Sequence, residues 1–286
     1  DYAAMVDFVY ESSWRHNQEF WRERKEGAKW RWTINDIDRG FNSSNVDSSL
    51  IDAMIAGGSG GHQILSAMVK NTGFKNRFVQ RYAAHLSSTF HSGRIADIVD
   101  RLSGEVDPEI ARHIARWKSE GGIQSIASRK AELDEIKKFA VDRLNEVYSD
   151  TARILNISGS TSTLTVNISP ASAGVVAING VPMLPQYSNK AKLYSDIAFD
   201  LTADAAPGFE FVGWSAGGNG STISRTLTGN ETLTATFRPS QETLVPAIIN
   251  VDTTLTTSGS PYTAAGDVTV SSGSRLTIQA GVVIRM

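Results

Sequence analysis

The sequence predicts an α+β multidomain chain: a mostly helical first part carrying a short β-hairpin, then an all-β repeat module, then β-solenoid coils. Three observations lead there. Residues 1–155 hold 22 basic and 22 acidic residues, whereas residues 156–286 hold only 6 and 8. Near Ile154 the apolar period changes from the 3.6 of helices to the 2 of strands. Beyond Pro246 the strand runs become short and evenly punctuated by turn residues. The resulting segments are 1–153, 154–239 and 247–286, with a linker from Pro239 to Pro246.

The balance of charge narrows the functions on offer. The formal net charge is −2 and no basic run occurs, so nucleic acid is not an expected partner. The chain has no cysteine, which fits an exported protein without disulfides. It shows no apolar run of membrane-spanning length and no secretion signal. Asp1 reads as already inside a helix and Val282 to Met286 as inside a strand, so the chain is expected to be a piece of a longer protein.

Taken in order, Ala4, Val6, Phe8, Val9 and Tyr10 read as the tail of a buried helix, with Glu11 to Gln18 as the loop after it. Phe20, Trp21 and Arg22 lead through the charged turn Glu23 to Gly27 into a second strand, giving a hairpin. In that strand Trp30, Trp32 and Ile34 alternate with Arg31, Thr33 and Asn35, and both tryptophans are expected in the core. Asp36 and Asp38 follow, two apart in what should be extended chain, so that they can point the same way, and Gly40 lets the backbone turn. Such a pair suits a hard cation such as Mg2+, which takes one or two carboxylates and completes its shell with water and phosphate. A structural aspartate capping the loop is an equal reading at this point.

Residues 43–63 read as a surface loop that includes the glycine run Gly57-Gly58-Ser59-Gly60-Gly61. No Gly-Lys-Ser/Thr follows the run, so a phosphate cradle is disfavoured. Leu65, Met68 and Val69 open a helix, and Phe74, Phe78, Val79, Tyr82, Ala83 and Leu86 form the stripe of the next. Ile95 to Leu102 make a third. Pro108 is expected in the first turn of a fourth, ahead of Ile110, Ile114 and Trp117. Leu133 to Val147 make a long last helix. The five histidines show no zinc spacing; His85 and His113 read as structural and His16 as a loop residue.

The β part contains strands at 164–168, 175–180, 197–203, 209–214 and 233–237, with Trp214 expected in a packed core rather than as a sugar platform. The last segment has strand runs at 254–256, 268–270, 276–278 and 282–284. Val283 and Ile284 are expected to be exposed.

The motifs W-R-W (30–32), D-x-D (36–38), G-F (40–41), F-x-x-R-F-x-x-R-Y-A-x-x-L (74–86), P-E-I-x-R-H-I-x-R-W (108–117) and F-A-x-x-R (139–143) together resemble the spore coat protein H (CotH) kinase family of atypical kinases. The resemblance spans residues 4–150 and implies the C-terminal lobe of such a kinase. It implies ATP and Mg2+, with Mn2+ as a substitute, and transfer to a protein hydroxyl. It puts the metal on Asp36, with Asp38 second, and raises the chance that Trp30 lies near the nucleotide. The family's N-T-D-W-P-x-N-N loop falls on Glu11 to Gln18, with Asn17 on its first Asn. Ser13 then stands where the family carries its catalytic Asp. A serine cannot serve as that base at neutral pH, so a pseudokinase working as a cell-surface scaffold or adhesion protein is the rival reading. Asn42 stands where the family has Gly, a small departure that Asn's tolerance of left-handed backbone is expected to absorb. The upstream nucleotide-binding lobe would be missing, and the piece alone inactive. Residues 164–237 resemble the small β-repeat modules of bacterial surface proteins, and residues 266–286 the opening of a right-handed parallel β-helix. Both imply an extracellular or cell-surface protein, with a protein substrate or surface partner and no membrane span.

Overall fold

The computed structural model describes residues 1–56, 62–206, 209–218, 220–240 and 243–285. The glycine run at 57–61 lies outside them. The described chain forms two compact units. One comprises residues 1–164, 178–199 and 224–231, and the other 165–177, 200–223 and 232–286.

The first unit opens with α1 (Tyr2–Val9), whose Ala4, Val6, Phe8 and Val9 are buried, and ends it on a left-handed Tyr10 at φ 54°. Strands β1 (Glu19–Trp21) and β2 (Arg31–Thr33) pair antiparallel with Phe20 opposite Trp32. This hairpin lies on the surface: Trp30 is 51% exposed and Ile34 53%, while Trp32 is half-buried. The expected core position of the two tryptophans is therefore corrected. Three-residue strands with no sheet behind them have one face to share, and it packs on His62 and Phe20 instead.

The segment expected as a loop contains α2 (Ile51–Ile55), with Ile51 and Met54 fully buried. Its signal is tertiary: the Asp7 carboxylate of α1 accepts from the N–H groups of Leu50 at 2.6 Å and Ile51 at 3.1 Å, satisfying donors that a helix start leaves open. Then come α3 (Gln63–Met68) and α4 (Thr72–Ser87), capped by His62 and Asn71. Helix α5 (Ser92–Trp117) runs unbroken through Pro108, which corrects the expected helix start there. The carbonyl that Pro108 leaves without a donor belongs to Gly104, which is exposed and open to water. Helix α6 (Ile126–Leu155) starts with a capping box in which Ser125 and Ser128 each bond the other's backbone N–H.

The core joins Phe8, Val79, Tyr82, Phe139 and Val147, and Phe8 stacks on Phe90 at 4.7 Å. Arg143 lies inside it with no exposed surface. Its guanidinium donates to the carbonyls of Asp7 and Val46 at 2.9 Å and of Phe8 at 3.3 Å, and lies 3.5 Å from the Asp7 carboxylate.

From the β-rich part of the sequence, β3 (Thr161–Ser169), β4 (Gly174–Ile178), β5 (Val181–Pro182), β6 (Lys190–Tyr194), β7 (Phe199–Ala205), β8 (Phe209–Trp214), β9 (Thr222–Arg225) and β10 (Glu231–Pro239) follow. β5, β6 and β9 lie outside the strands expected from the sequence; β5 has only two residues and β9 four. Part of this region belongs to the first unit and packs on its helices. Gln80 of α4, wholly buried, accepts from the Tyr194 N–H at 3.0 Å and donates to the carbonyls of Tyr194 at 2.8 Å and Ile197 at 2.6 Å. Tyr148 of α6 donates to the Lys192 carbonyl at 2.8 Å, and Tyr194 to the Tyr148 carbonyl at 3.0 Å.

In the second unit β10 pairs antiparallel with β8, and Phe211, Trp214 and Phe237 cluster with ring centroids 5.4 Å apart from Phe211. Trp214 is 4% exposed, as expected of a core residue, and its indole N–H donates to the Gly220 carbonyl at 3.2 Å. The remaining strands are β11 (Thr243–Leu244), β12 (Ile248–Ile249), β13 (Thr253–Leu255), β14 (Tyr262–Thr263), β15 (Thr269–Val270), β16 (Leu276–Ile278) and β17 (Ile284–Arg285). They pair in parallel, β11 with β14 and β14 with β17, β12 with β15, and β13 with β16. Val245, Ile249, Leu255, Tyr262 and Ala264 form their common core. Val283 and Ile284 stay exposed, at 40% and 37%.

Candidate functional site

The candidate site lies where α1 runs into the loop that ends at Gln18. Glu11 is 1% exposed. Its Oε1 accepts from the Ser13 N–H at 2.8 Å and from the Ser13 hydroxyl at 2.5 Å, while its Oε2 accepts from the Arg39 N–H at 3.1 Å. Asn17 continues the chain of bonds. Its amide nitrogen donates to Ser13 Oγ at 3.1 Å, to the Asp36 carbonyl at 2.9 Å and to Asp36 Oδ2 at 3.2 Å. The loop at 11–17 and the loop at 36–39 are thus one hydrogen-bonded assembly.

Backbone contacts hold the second loop in place. The Phe41 N–H donates to the Val9 carbonyl at 2.7 Å, and a Cβ on Gly40 would lie 3.2 Å from Val9 Cγ2 and from the Val9 carbonyl oxygen. Gly40 is thus small to let the loop close on the end of α1. The left-handed conformation falls on Phe41, at φ 60°, and not on Asn42, which is extended at φ −81°. Asn42 instead caps the turn Ser43–Asn45, accepting from the Ser44 N–H at 3.0 Å. That corrects the reading of the Asn42 position.

Asp36 is also left-handed, at φ 48°. Its departure from extended geometry removes the two-residue alternation that would aim Asp36 and Asp38 alike. Both are exposed. Asp38 lines a cleft of about 630 Å3 together with Ser12, Arg39, Asn42, Glu132 and Glu135. Among the described residues no three His, Cys, Asp or Glu side chains come together as a metal site. A hard cation here would therefore have at most two protein carboxylates, as Mg2+ accepts.

Trp30 faces a separate opening of about 410 Å3 lined by Gln18, Phe20, Trp32, His62 and Ile64. Phe20 meets Trp30 edge-on at 5.6 Å, and the Arg22 guanidinium lies 5.1 Å from the Trp30 ring. His62 sits 5.9 Å from Trp32, and burial holds its pKa below the ordinary histidine value. The structure thus brings Ser13, Asn17 and Asp36 together and leaves Trp30 and Asp38 lining two separate clefts.

Two contributors were not legible. Glu11 reaches Arg39 across 28 positions of sequence, a contact that no spacing rule encodes. His62 enters only through its place beside the hairpin. Asp7, the other carboxylate near the loop, faces the core, where it accepts from Ser49 Oγ at 2.8 Å and the Tyr82 hydroxyl at 2.7 Å. Of the histidines read as structural, His85 is held by Thr89 at 2.5 Å, while His113 is exposed.

The sequence model of the family described as CotH kinase protein matches residues 1–147, which include the whole assembly. The chain belongs to the CotH kinase protein family. In this CotH-family chain a second match, to the Divergent InlB B-repeat domain, covers residues 164–241. No curated protein and no solved structure matches the chain. The matched segment includes Glu11, Ser13, Asn17 and Asp36.

Proposed function

We propose that the intact protein transfers the terminal phosphoryl group of ATP to protein hydroxyls from the surface of a bacterial cell or coat. Asp36 and Asn17 would hold Mg2+ or Mn2+, with Asp38 as a further oxygen donor, and Trp30 would lie against the nucleotide base. The metal would supply charge neutralisation of the phosphates. The observation that carries this reading is the bonding of Asn17 to both the carbonyl and the carboxylate of Asp36. It ties together the two loops to which the family resemblance assigns the metal and the catalytic residue, despite the serine at position 13. The donors are hard oxygens on an exposed rim, which is the chemistry Mg2+ selects. The β-repeat and the parallel-paired strands after it read as the display part, the latter as the first coils of a β-solenoid whose strands stack roughly twenty residues apart.

A second reading is favoured by one residue. Ser13 takes the place of the family's catalytic Asp, and a protein that lost its base would serve as a pseudokinase scaffold. Phosphate transfer from labelled ATP with Mg2+ or Mn2+ decides between them, using the full-length protein as found, with Asp36→Ala and with Ser13→Asp. The kinase reading expects label in the unmodified protein and none after Asp36→Ala. Label only after Ser13→Asp would support the scaffold.

A further inference from the structure

We infer that Ser13 is itself a phosphoryl acceptor, with Glu11 as the base that takes its proton. This inference rests on the kinase reading. Three features of the Ser13 hydroxyl point to it. Its proton is committed to Glu11 Oε1 at 2.5 Å. One lone pair of its oxygen accepts from Asn17 at 3.1 Å, and a hydroxyl oxygen has two, so one remains for an electrophile. The same Asn17 amide binds Asp36, so the hydroxyl sits one residue from the proposed phosphate end of the site.

Glu11 is built for the role. Burial keeps it from wandering, and both of its oxygens are fixed, one by Ser13 and one by the Arg39 N–H. Among the described residues no lysine or arginine is paired with it, and the buried Arg143 faces Asp7 instead. A nucleophilic hydroxyl within hydrogen-bond reach of a base that a third group orients is the general arrangement for an activated nucleophile. In the step proposed, Ser13 Oγ attacks the terminal phosphorus of ATP. The Oγ–P bond forms as the bond from phosphorus to the bridging oxygen breaks, ADP leaves with that electron pair, and the hydroxyl proton passes to Glu11 Oε1. Once Glu11 has released that proton to solvent, phosphoserine stands beside its carboxylate, and like charges at this distance weaken the contact that tied the two residues together.

The test incubates the full-length protein with ATP, Mg2+ and casein as an added acceptor, and reads three things. Nucleotide binding is followed by calorimetry, casein phosphate by label, and Ser13 phosphate by mass spectrometry of the peptide that contains it. The expected result is one phosphate on Ser13, formed about a hundredfold more slowly in Glu11→Gln, the scale of general-base help, with nucleotide binding retained. A Ser13 phosphate that forms at the same rate in Glu11→Gln overturns the role of Glu11. Labelled casein with an unmodified Ser13 peptide overturns the inference and leaves the kinase reading standing. Bound nucleotide with neither product overturns both.

Discussion

Replacing Arg143 by Met tests how the site is held, because Arg143 bonds the end of α1 from which Glu11 and Ser13 depart. Its guanidinium donates to the carbonyls of Asp7, Phe8 and Val46 and faces the Asp7 carboxylate at 3.5 Å, all without solvent contact. Methionine keeps much of the stem's volume but leaves a buried carboxylate with no cation. Removing one partner of a buried pair costs about 3–5 kcal/mol, and the carbonyls left without a donor push towards the upper end. The Asp7 carboxylate has other donors, from Leu50, Ile51, Ser49 and Tyr82, which shield it and set the lower end. Urea unfolding followed by helical circular dichroism, which reports the α-helices of the first unit, measures the loss. The second arm is a double-mutant cycle with Asp7→Asn. If the charge pair is the source of the cost, the double variant loses less than the two single losses together by about 1–3 kcal/mol. A loss below about 1 kcal/mol for Arg143→Met, or strict additivity in the cycle, would refute the reasoning.

Two more outcomes follow from the packing of β6 on the helices. Gln80→Leu removes three hydrogen bonds to Tyr194 and Ile197 and leaves buried backbone groups unpaired, so it should cost about 2–4 kcal/mol; unchanged hydrogen-exchange protection of the Tyr194 amide would count against it. Burial raises the pKa of Tyr82, Tyr148 and Tyr194 above the ordinary tyrosine value. For each the folded pKa is the higher one, so the stability it contributes is present below pH 10 and is lost as pH rises beyond it. Absorbance at 295 nm should show these three ionising together with alkaline unfolding, after the other tyrosines, and separate early ionisation would contradict the burial.

The sequence by itself determined the order of helical and β segments, because the apolar period is a local property that each stretch states for itself. It fixed the long α6 through the stripe from Leu133 to Val147 and the core place of Trp214 through the alternation around it. It also singled out Ser13 as the position to test, because the loop motif it resembles is contiguous. What it left open were the features made by contact between distant stretches. Helix α2 is set by a carboxylate from α1, and Pro108 is tolerated inside α5 because water reaches the Gly104 carbonyl. The tryptophan hairpin alternates as a half-buried strand should, yet lies on the surface for want of a sheet behind it. Most of all, the sequence placed Glu11 near Ser13 only as a neighbour in one loop. The turn at Tyr10 and the docking of the 36–41 loop on Val9 make it a buried carboxylate gripping that hydroxyl. Hydrogen-bond partners far apart along the chain are chosen by the closing of the fold, and no residue announces them beforehand.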